Sequence, residues 1–502
     1  MDDDSKSARD LATSSPLDEQ SHPLAARKLS PVREVVFVAV ICLAQFLTQA
    51  GLGSVLAILP ILGASLGITN RGSQAWLIAG YSLTVGTFIL ISGRLGDLYG
   101  HRRVLLAGYA WFGAWSVVAG FAVYSSSGSV LFVFARVLSG IGPSLMLPNA
   151  LAILGVAYPP SPSKDLVFSL FGAVAPGGCV VGAALAGVFA LAWWPWFFWA
   201  MGIALLVTAL LGYFVILEDP RVLKKSSFSV LEFVEAVDAR GGVVGVTALM
   251  LVNFAWNQAG VVGWSKPYVY ILLIVGALLI PVFFWIEFRV ARSPLLPFDV
   301  VNRKVGAVLF FEHTRGASPL LATAWLSPVA ITGALASLTT AYLLGRAQPA
   351  TIMIIAMTAF AAGSIIIATA PADQTYWGQS FVVSLVITFG MGEYGLQTYS
   401  SSCSLTRRPD MSFPAASLII SNAVPREKQG VGMSLVNTVV NYSISIALGI
   451  AGTVEMQVTK ADASPGTALK GYRSAWYFGI GLAGLGLCFS VVNLVMTKTK
   501  AR

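Results

Sequence analysis

An acidic residue and a pair of basic residues stand close together in a glycine-bounded segment near residue 100. Asp97 precedes Arg102 and Arg103 by five and six residues, and Gly93 and Gly100 flank it. Glycine permits a tight turn and a close approach of helices. An acid beside basic residues can tie helix ends together by charge, so the pattern predicts a charge latch. An ordinary basic loop with Asp97 as a helix N-cap is the alternative.

Two isolated charges interrupt apolar runs elsewhere in the chain. Arg136 lies inside one run, and Asp410 opens another. A charge among apolar residues is costly unless it faces a cavity or a partner. We therefore expect Arg136 and Asp410 each to face a cavity or a polar partner. The alternative for Arg136 is a side chain that extends to a membrane interface.

The composition indicates that membrane-spanning helices hold these residues. Of the 502 residues, 56% are hydrophobic and 11% are charged, against about 25% charged in ordinary soluble domains. This excludes a soluble globular protein and predicts an all-α polytopic membrane protein. The net charge of +9 fits basic cytoplasmic loops and not nucleic-acid binding. Three dispersed histidines and four scattered cysteines predict no enzyme, no metal and no cofactor.

Thirteen apolar runs are long enough to cross a membrane. They begin near Val35, Trp76, Val104, Val130, Leu166, Trp196, Gly242, Tyr268, Leu320, Thr351, Tyr376, Val431 and Ala475. Among the loops of the first eight runs, the even-numbered ones hold twelve Lys and Arg and the odd-numbered ones hold two. Because Lys and Arg gather in cytoplasmic loops, we expect a cytosolic N-terminus.

The runs also predict how the chain is organised. We expect a disordered cytosolic tail (1–33), an N-terminal six-helix half (34–217), a central linker with two extra spans (218–290), a C-terminal half (291–496) and a short cytosolic tail (497–502). Two segments break the pattern of the C-terminal half. Residues 305–311 are an apolar run too short to span. Residues 392–409 form a mostly polar stretch of 18 residues that divides one run in two.

Three motifs of the N-terminal half resemble those of the major facilitator superfamily. Gly93 to Arg103 is similar to its signature loop, G-x-L-x-D-x-x-G-R-R, with His101 in place of a common basic residue. Arg136 to Gly142 is similar to the motif whose arginine is proposed to influence proton transfer. The third stretch resembles the antiporter motif of exporters, with Ala175 in place of its usual glycine. Its principal residues are Gly172, Pro176, Gly177 and Gly182.

The second half resembles the fungal fourteen-span drug:proton antiporter family. The similar blocks include Asn253 to Gln258, Asp410 to Ala415, Ser434 to Ser443 and Lys470 to Arg473. They are most similar to the branch of aminotriazole-resistance, boron-efflux and low-affinity ammonium transporters. The resemblance implies the major facilitator fold, with two six-helix halves plus two extra central helices, and fourteen spans. It also suggests that residues 392–409 are a retained intron and that a segment near 310 is missing.

The resemblance implies a secondary transporter. The leading hypothesis is proton-coupled efflux of a drug, toxic solute or secondary metabolite across the plasma membrane, by a monomer in contact with lipid. The alternatives are an uncoupled facilitator or importer of a solute such as ammonium, and a membrane protein that does not transport because a span is missing. The motifs nominate Asp97 as the gate residue, Asp410 as the proton site and Arg136 as a charge-tuning residue.

Polar residues inside the apolar runs are candidates for the substrate cavity, because alternating access needs a polar site near the membrane midplane. The alternative for each of them is an interhelical hydrogen bond. The candidates are Gln45, Gln49, Asn149, Asn253, Asn257, Gln258, Asn437 and Asn441.

Overall fold

The computed structural model describes residues 30–68, 71–159, 161–217, 239–289, 349–371 and 377–390, residue 332, and scattered positions between 421 and 488. All regular elements of these residues are helices. The all-helical fold predicted from the composition is therefore confirmed for the described part of the chain. Residues 305–311 and 392–409, Asp410 and Asn441 lie outside it, as do both predicted tails up to residue 29 and from residue 497.

Eight α-helices cover the N-terminal part of the chain. They are α1 (Pro31–Ala57), α2 (Leu59–Ser65), α3 (Arg71–Tyr99), α4 (His101–Gly120), α5 (Gly128–Ser139), α6 (Ile141–Ala157), α7 (Pro162–Ala192) and α8 (Pro195–Val215). A short 3-10 helix, Phe121–Tyr124, follows α4. Four further helices are described. They are α9 (Ala239–Val262), α10 (Pro267–Arg289), α11 (Pro349–Thr369) and α12 (Gln379–Gly390).

Serine and proline mark the beginnings of two long helices. The Ser30 hydroxyl accepts a hydrogen bond from the Arg33 N–H at 3.4 Å, and Pro31 follows it at the start of α1. Ser161 does the same for the Lys164 N–H at the start of α7. Serine satisfies an N–H that has no partner within the helix, and proline needs no such partner. The cap residues therefore define where these helices begin.

Six helical segments are long and apolar enough to cross a membrane, or seven if the bent α3 counts as one span, among the described residues. Helices α5 and α6 together make one of them, Gly128–Ala157. The eighth predicted run forms α10, whose apolar part, Pro267–Phe283, is shorter than a span. Each of the first eight predicted runs begins within five residues of a helix start.

Glycines bring α1 and α7 close together. A Cβ built on Gly178 would lie 2.3 Å from the Phe46 carbonyl oxygen, and one built on Gly182 would lie 2.4 Å from the Ala50 Cα. From the other side, a Cβ on Gly53 would lie 2.2 Å from the Cys179 carbonyl oxygen. Small residues allow helix backbones to approach in this way. The two helices therefore pack backbone to backbone along this contact.

The α9 and α10 pair is anchored to α3 by polar and aromatic contacts. The Trp76 Nε1–H donates to Gln258 Oε1 at 2.9 Å, and Gln258 Nε2 donates to the Tyr268 hydroxyl at 3.0 Å. The Trp76 and Phe254 rings lie 5.1 Å apart, centroid to centroid. These contacts attach the two helices to the side of the N-terminal bundle.

Candidate gate and charge site

Asp97 links the end of α3 to a segment more than 330 positions later in the chain. Its Oδ1 accepts a hydrogen bond from the Gly430 N–H at 2.9 Å, and its Oδ2 accepts one from the Val431 N–H at 3.1 Å. The contact therefore holds the Asp97 side chain, at the end of α3, against the backbone of a segment in the later part of the chain. We call this contact the gate contact.

The backbones on either side of the gate contact lie unusually close. A Cβ built on Gly93 would lie 2.0 Å from the Gly430 carbonyl oxygen, and one built on Gly430 would lie 2.2 Å from the Gly93 carbonyl oxygen. No side chain larger than hydrogen fits at either position without a backbone shift. Glycine at both positions is therefore what lets Asp97 reach the two N–H groups.

His101 and Asn149 complete a hydrogen-bonded chain behind Asp97. His101 Nε2 lies 3.3 Å from Asp97 Oδ1, and its Nδ1 lies 2.8 Å from Asn149 Oδ1. Asn149 is fully buried in α6, and its amide nitrogen donates to the Leu145 carbonyl and the Ser92 carbonyl and hydroxyl. The structure thus places Asn149, predicted as a cavity residue, at the gate contact.

The basic residues that follow Asp97 do not share one role. The Arg102 guanidinium donates to the Tyr213 carbonyl and stacks over the Tyr213 ring, 5.1 Å from Cζ to the centroid. It therefore joins α4 to α8. Arg103 is exposed. Asp97 thus bonds to backbone N–H groups and lies beside His101, whereas Arg102 packs elsewhere. The charge latch stays a prediction.

Arg136 is buried within the N-terminal bundle, with 2% of its surface exposed. Its Nη2 donates to the Gly51 carbonyl at 3.0 Å, and its Cζ lies 4.2 Å from the centroid of the Tyr81 ring. The Tyr81 hydroxyl in turn donates to the Thr48 carbonyl at 3.0 Å. A guanidinium over an aromatic face gains a cation–π attraction that desolvation strengthens. Arg136 therefore does not extend to a membrane interface, and it ties α5 to α1 and α3.

The glycines of the antiporter-like motif differ in their surroundings. Gly178 and Gly182 face α1, as described above, whereas a Cβ on Gly177 would meet nothing within 4 Å. Pro176 lies inside α7, where it removes the N–H that would bond to the Gly172 carbonyl. The motif thus combines a packing face with one open position and one missing hydrogen bond.

The predicted cavity residues of α1 and the C-terminal half are largely buried. Gln45 is 6% exposed, and Gln49, one turn later in α1, is half-buried. Asn437 is 1% exposed, and its amide nitrogen donates to the Met433 carbonyl one turn earlier at 2.9 Å. A role in substrate binding stays a prediction for all three residues.

The predicted cavity residues of α9 bond to one another or to the neighbouring helices α3 and α10. Asn257 Nδ2 donates to Asn253 Oδ1 at 2.7 Å, and Gln258 bonds to Trp76 and Tyr268. Trp76 and Asp97 lie near opposite ends of α3, which are roughly 30 Å apart at 1.5 Å per residue. The structure therefore does not gather Gln258 and Asn149 into one site.

Sequence reasoning missed the partners of the candidate residues. Gly430 and Val431 contribute only backbone N–H groups, which carry no residue-type signal. Arg136 contacts Tyr81 and Gly51, which belong to two other helices. Their closeness to Arg136 is apparent only once the helices have packed.

The long apolar helices of the described residues are those of a polytopic helical membrane protein, and the chain belongs to the Major Facilitator Superfamily. The sequence profile of that family matches residues 41–449. The family predicted from the motifs is therefore confirmed.

Named relatives and a solved structure share most of the chain. It is 49% identical over 497 residues to the low affinity ammonium transporter of Saccharomyces cerevisiae, covering 95% of this chain and 91% of that protein. It is 41% identical over 479 residues to the efflux pump terJ of Aspergillus terreus, covering 91% and 87%. The structure of the human organic anion transporter MFSD10 superposes with a TM-score of 0.57 at 15% identity, covering 92% of this chain and all of that one. That likeness concerns the fold alone.

Proposed function

We propose that the chain exports a small molecule from the cytosol across the plasma membrane in exchange for protons. The observation that carries the proposal is the gate contact, in which Asp97 of the first half holds Gly430 and Val431 of the second. Alternating access requires two halves that separate and rejoin at each end. A contact made of hydrogen bonds to a charged group is strong enough to hold the halves together and can still break and re-form.

Different observations support the proposed direction of transport and its proposed coupling to protons. A relative at 41% identity is named an efflux pump, and the glycine-rich α7 is similar to the motif of exporters. For coupling, Arg136 is a buried cation, and it would tune the proton affinity of an acid such as Asp410. On this proposal the N-terminus and the gate contact lie on the cytosolic side, since the loops there carry most of the Lys and Arg.

Transport into inside-out vesicles tests the proposal. A pH gradient, acid inside, is imposed on vesicles from cells that express the chain. The vesicles are then offered radiolabelled aminotriazole, radiolabelled methylammonium, or borate enriched in a stable boron isotope and measured by mass spectrometry. We expect gradient-driven uptake of at least one of the first two probes, which dissipates with an uncoupler. Uptake that is equal with and without the gradient would contradict proton coupling.

A second candidate function is uptake of ammonium, because a relative at 49% identity is named a low affinity ammonium transporter. In intact cells that lack their own ammonium transporters, this function predicts methylammonium entry that depends on the chain. Export of aminotriazole or borate without methylammonium entry would favour the first proposal. Absence of both activities, with the chain in the plasma membrane, would favour the non-transporting alternative.

A further inference from the structure

The membrane span that carries Arg136 is interrupted one turn after that residue. Helix α5 ends at Ser139 and α6 begins at Ile141, although the two together make one span. The last carbonyls of a helix have no partner within it, and Pro143 has no N–H to offer to the Ser139 carbonyl. Because lipid supplies no donors, carbonyls freed in this way need donors from neighbouring helices.

Two side chains of neighbouring helices supply such donors. The Thr84 hydroxyl of α3 donates to the Val137 carbonyl at 2.6 Å. The Trp111 indole N–H of α4 donates to the Leu138 carbonyl at 2.7 Å. In an uninterrupted helix both carbonyls would accept from N–H groups four residues later, and neither bond is present between these described residues. Thr84 and Trp111 therefore replace the helix's own hydrogen bonds at the break.

The Thr84 hydroxyl has a choice of acceptors for its single hydrogen. The Val137 carbonyl oxygen lies 2.6 Å away, whereas the carbonyl oxygens of Tyr81 and Gly80, in the same helix as Thr84, lie at 3.1 and 3.2 Å. A hydroxyl bond is ordinarily about 2.7–2.8 Å long, so the hydrogen points to Val137. Thr84 thus bonds to α5 in preference to the backbone of its own helix, the usual partner of a helical threonine.

The face of α3 that holds the break also holds the Arg136 side chain. The Tyr81 ring lies 4.2 Å from the Arg136 Cζ and precedes Thr84 by three residues, a spacing that puts both on one helix face. A Cβ built on Gly140 would lie 2.1 Å from Thr84 Oγ1 and 2.5 Å from the Tyr81 carbonyl oxygen. Tyr81 therefore contacts the side chain of Arg136, while Thr84 holds the backbone beside it.

We infer that Thr84 and Trp111 are positioning residues that fix the end of α5, so that Arg136 reaches the Gly51 carbonyl of α1. The guanidinium donates to that carbonyl at 3.0 Å from the last turn of α5. A change in the angle between α5 and α6 would move the guanidinium away from both the carbonyl and the Tyr81 ring. The inference rests on the proposed function only in giving Arg136 a part in transport.

Chemical modification of the purified full chain tests the inference without any transport assay. Phenylglyoxal reacts with guanidinium groups, and mass spectrometry of the peptides measures the rate at each arginine. Arg136 is 2% exposed, so it should react slowly, and exposed Arg103 is the reference for the reagent. The ratio of the rate at Arg136 to the rate at Arg103 reports how often Arg136 leaves its buried position.

Thr84→Val removes the hydroxyl and keeps the shape of the side chain. We expect it to raise the rate ratio by about fivefold, as for the loss of one hydrogen bond. Thr84→Ser keeps the hydroxyl and should leave the ratio near its native value. The matched control is Thr87→Val, because the Thr87 hydroxyl donates to the Leu83 carbonyl of its own helix. It should leave the ratio unchanged.

Trp111→Phe keeps an aromatic ring in α4 and removes the indole N–H. It should raise the rate ratio as Thr84→Val does, since it frees the next carbonyl of the break. Trp115→Phe, one turn later in α4, is the control for the loss of an indole, because the Trp115 ring packs edge-on against the Phe134 ring. It should leave the ratio unchanged.

Equal rate ratios for Thr84→Val and Thr87→Val would overturn the inference, and so would a rise in Thr84→Ser as large as that in Thr84→Val. A merely structural role for Thr84 would lower the melting temperature and leave the rate ratio of the folded chain unchanged, which would also overturn it.

The vesicle assay tests whether Thr84 acts through Arg136. Adding Thr84→Val to Arg136→Lys should reduce transport no further than Arg136→Lys alone, because the guanidinium that Thr84 positions is already absent. A further fall would contradict the inference. Absence of transport in the native chain would contradict the proposed function and leave the modification readout intact. The two proposals can therefore fail independently.

Discussion

Gly93 and Gly430 touch through their backbones, although one belongs to the first half of the chain and the other to the second. A Cβ on either glycine would lie 2.0 or 2.2 Å from the carbonyl oxygen of the other. This approach brings the Gly430 N–H within 2.9 Å of Asp97. This contact between two distant parts of the chain thus depends on the lack of a side chain at Gly93 and Gly430 and on the Asp97 carboxylate.

Gly430→Ala is expected to prevent the gate contact from forming. The added methyl meets a backbone carbonyl, which cannot rotate away, and overpacking of this kind costs about 1–3 kcal/mol. Ser434 is fully buried beside Gly93, so Ser434→Cys, in a chain whose four native cysteines are replaced by alanine, reacts with a maleimide only when this contact opens. We expect this labelling to rise by about tenfold and transport to fall in proportion. Gly484→Ala in the same half, where a Cβ meets nothing within 4 Å, is the matched control. Unchanged labelling in Gly430→Ala would show that the halves can rejoin without this contact.

Asp97→Asn is expected to open the gate while the fold is kept. An amide presents one oxygen where the carboxylate presents two, and hydrogen bonds to charged groups contribute about 1.5–3 kcal/mol. The rate of Ser434→Cys labelling should therefore rise by about tenfold or more.

Glu34→Gln is the control for charge alone. Glu34 accepts a hydrogen bond from the Tyr158 hydroxyl at 3.0 Å, and both residues belong to the first half. The same loss of charge there should leave labelling unchanged. If Glu34→Gln opens the gate as much as Asp97→Asn does, net charge and not the gate contact controls closure.

Substitutions in α7 should separate packing from any special role of the antiporter-like motif. Gly178→Ala and Gly182→Ala push α7 away from α1 and should lower the melting temperature of the purified protein, since overpacking costs about 1–3 kcal/mol. Gly177→Ala enters open space and should leave the melting temperature unchanged or raise it, because alanine favours a helix by up to about 1 kcal/mol over glycine. Transport lost in Gly177→Ala at an unchanged melting temperature would place a specific function at that position.

Arg136→Lys should reduce gradient-driven transport by about tenfold, although the positive charge is kept. An ammonium cannot both stack over the Tyr81 ring and present a planar donor to the Gly51 carbonyl. Tyr81→Phe keeps the ring and loses only the hydroxyl bond to the Thr48 carbonyl, so its cost should be about 0.5–1.5 kcal/mol of stability. Transport assays and thermal unfolding measure the two effects separately. Full transport by Arg136→Met would show that this cation is not used.

Sequencing of the transcript should reveal an mRNA that encodes a protein different from this chain in two places. We expect a spliced form that lacks the codons for residues 392–409 and has codons for additional apolar residues near residue 310. The first change would fuse two short apolar runs into one span, and the second would complete the run at 305–311. A transcript that encodes the 502 residues unchanged would contradict this prediction and strengthen the non-transporting alternative.

The helices at the first eight apolar runs could be predicted from the sequence because hydrophobicity is a local property. A lipid bilayer requires about 20 consecutive apolar residues, and proline and serine mark helix starts through bonds to their immediate neighbours. Asp97, Arg136 and the α7 glycines were recognisable for a related reason. A charge or a run of glycines in an apolar chain stands out against its surroundings and matches a family motif over a few residues.

What only the tertiary structure decided is the partner of each of these residues. Asp97 was nominated as a gate from its own motif, but its partners are backbone N–H groups 333 and 334 positions away, and every residue except proline has one. Asn149 and Gln258 were equally polar candidates for a cavity, and packing placed one at the gate contact and the other against Trp76. The chemistry of a residue follows from its type, whereas its distance from a partner far away in the sequence depends on how the helices pack.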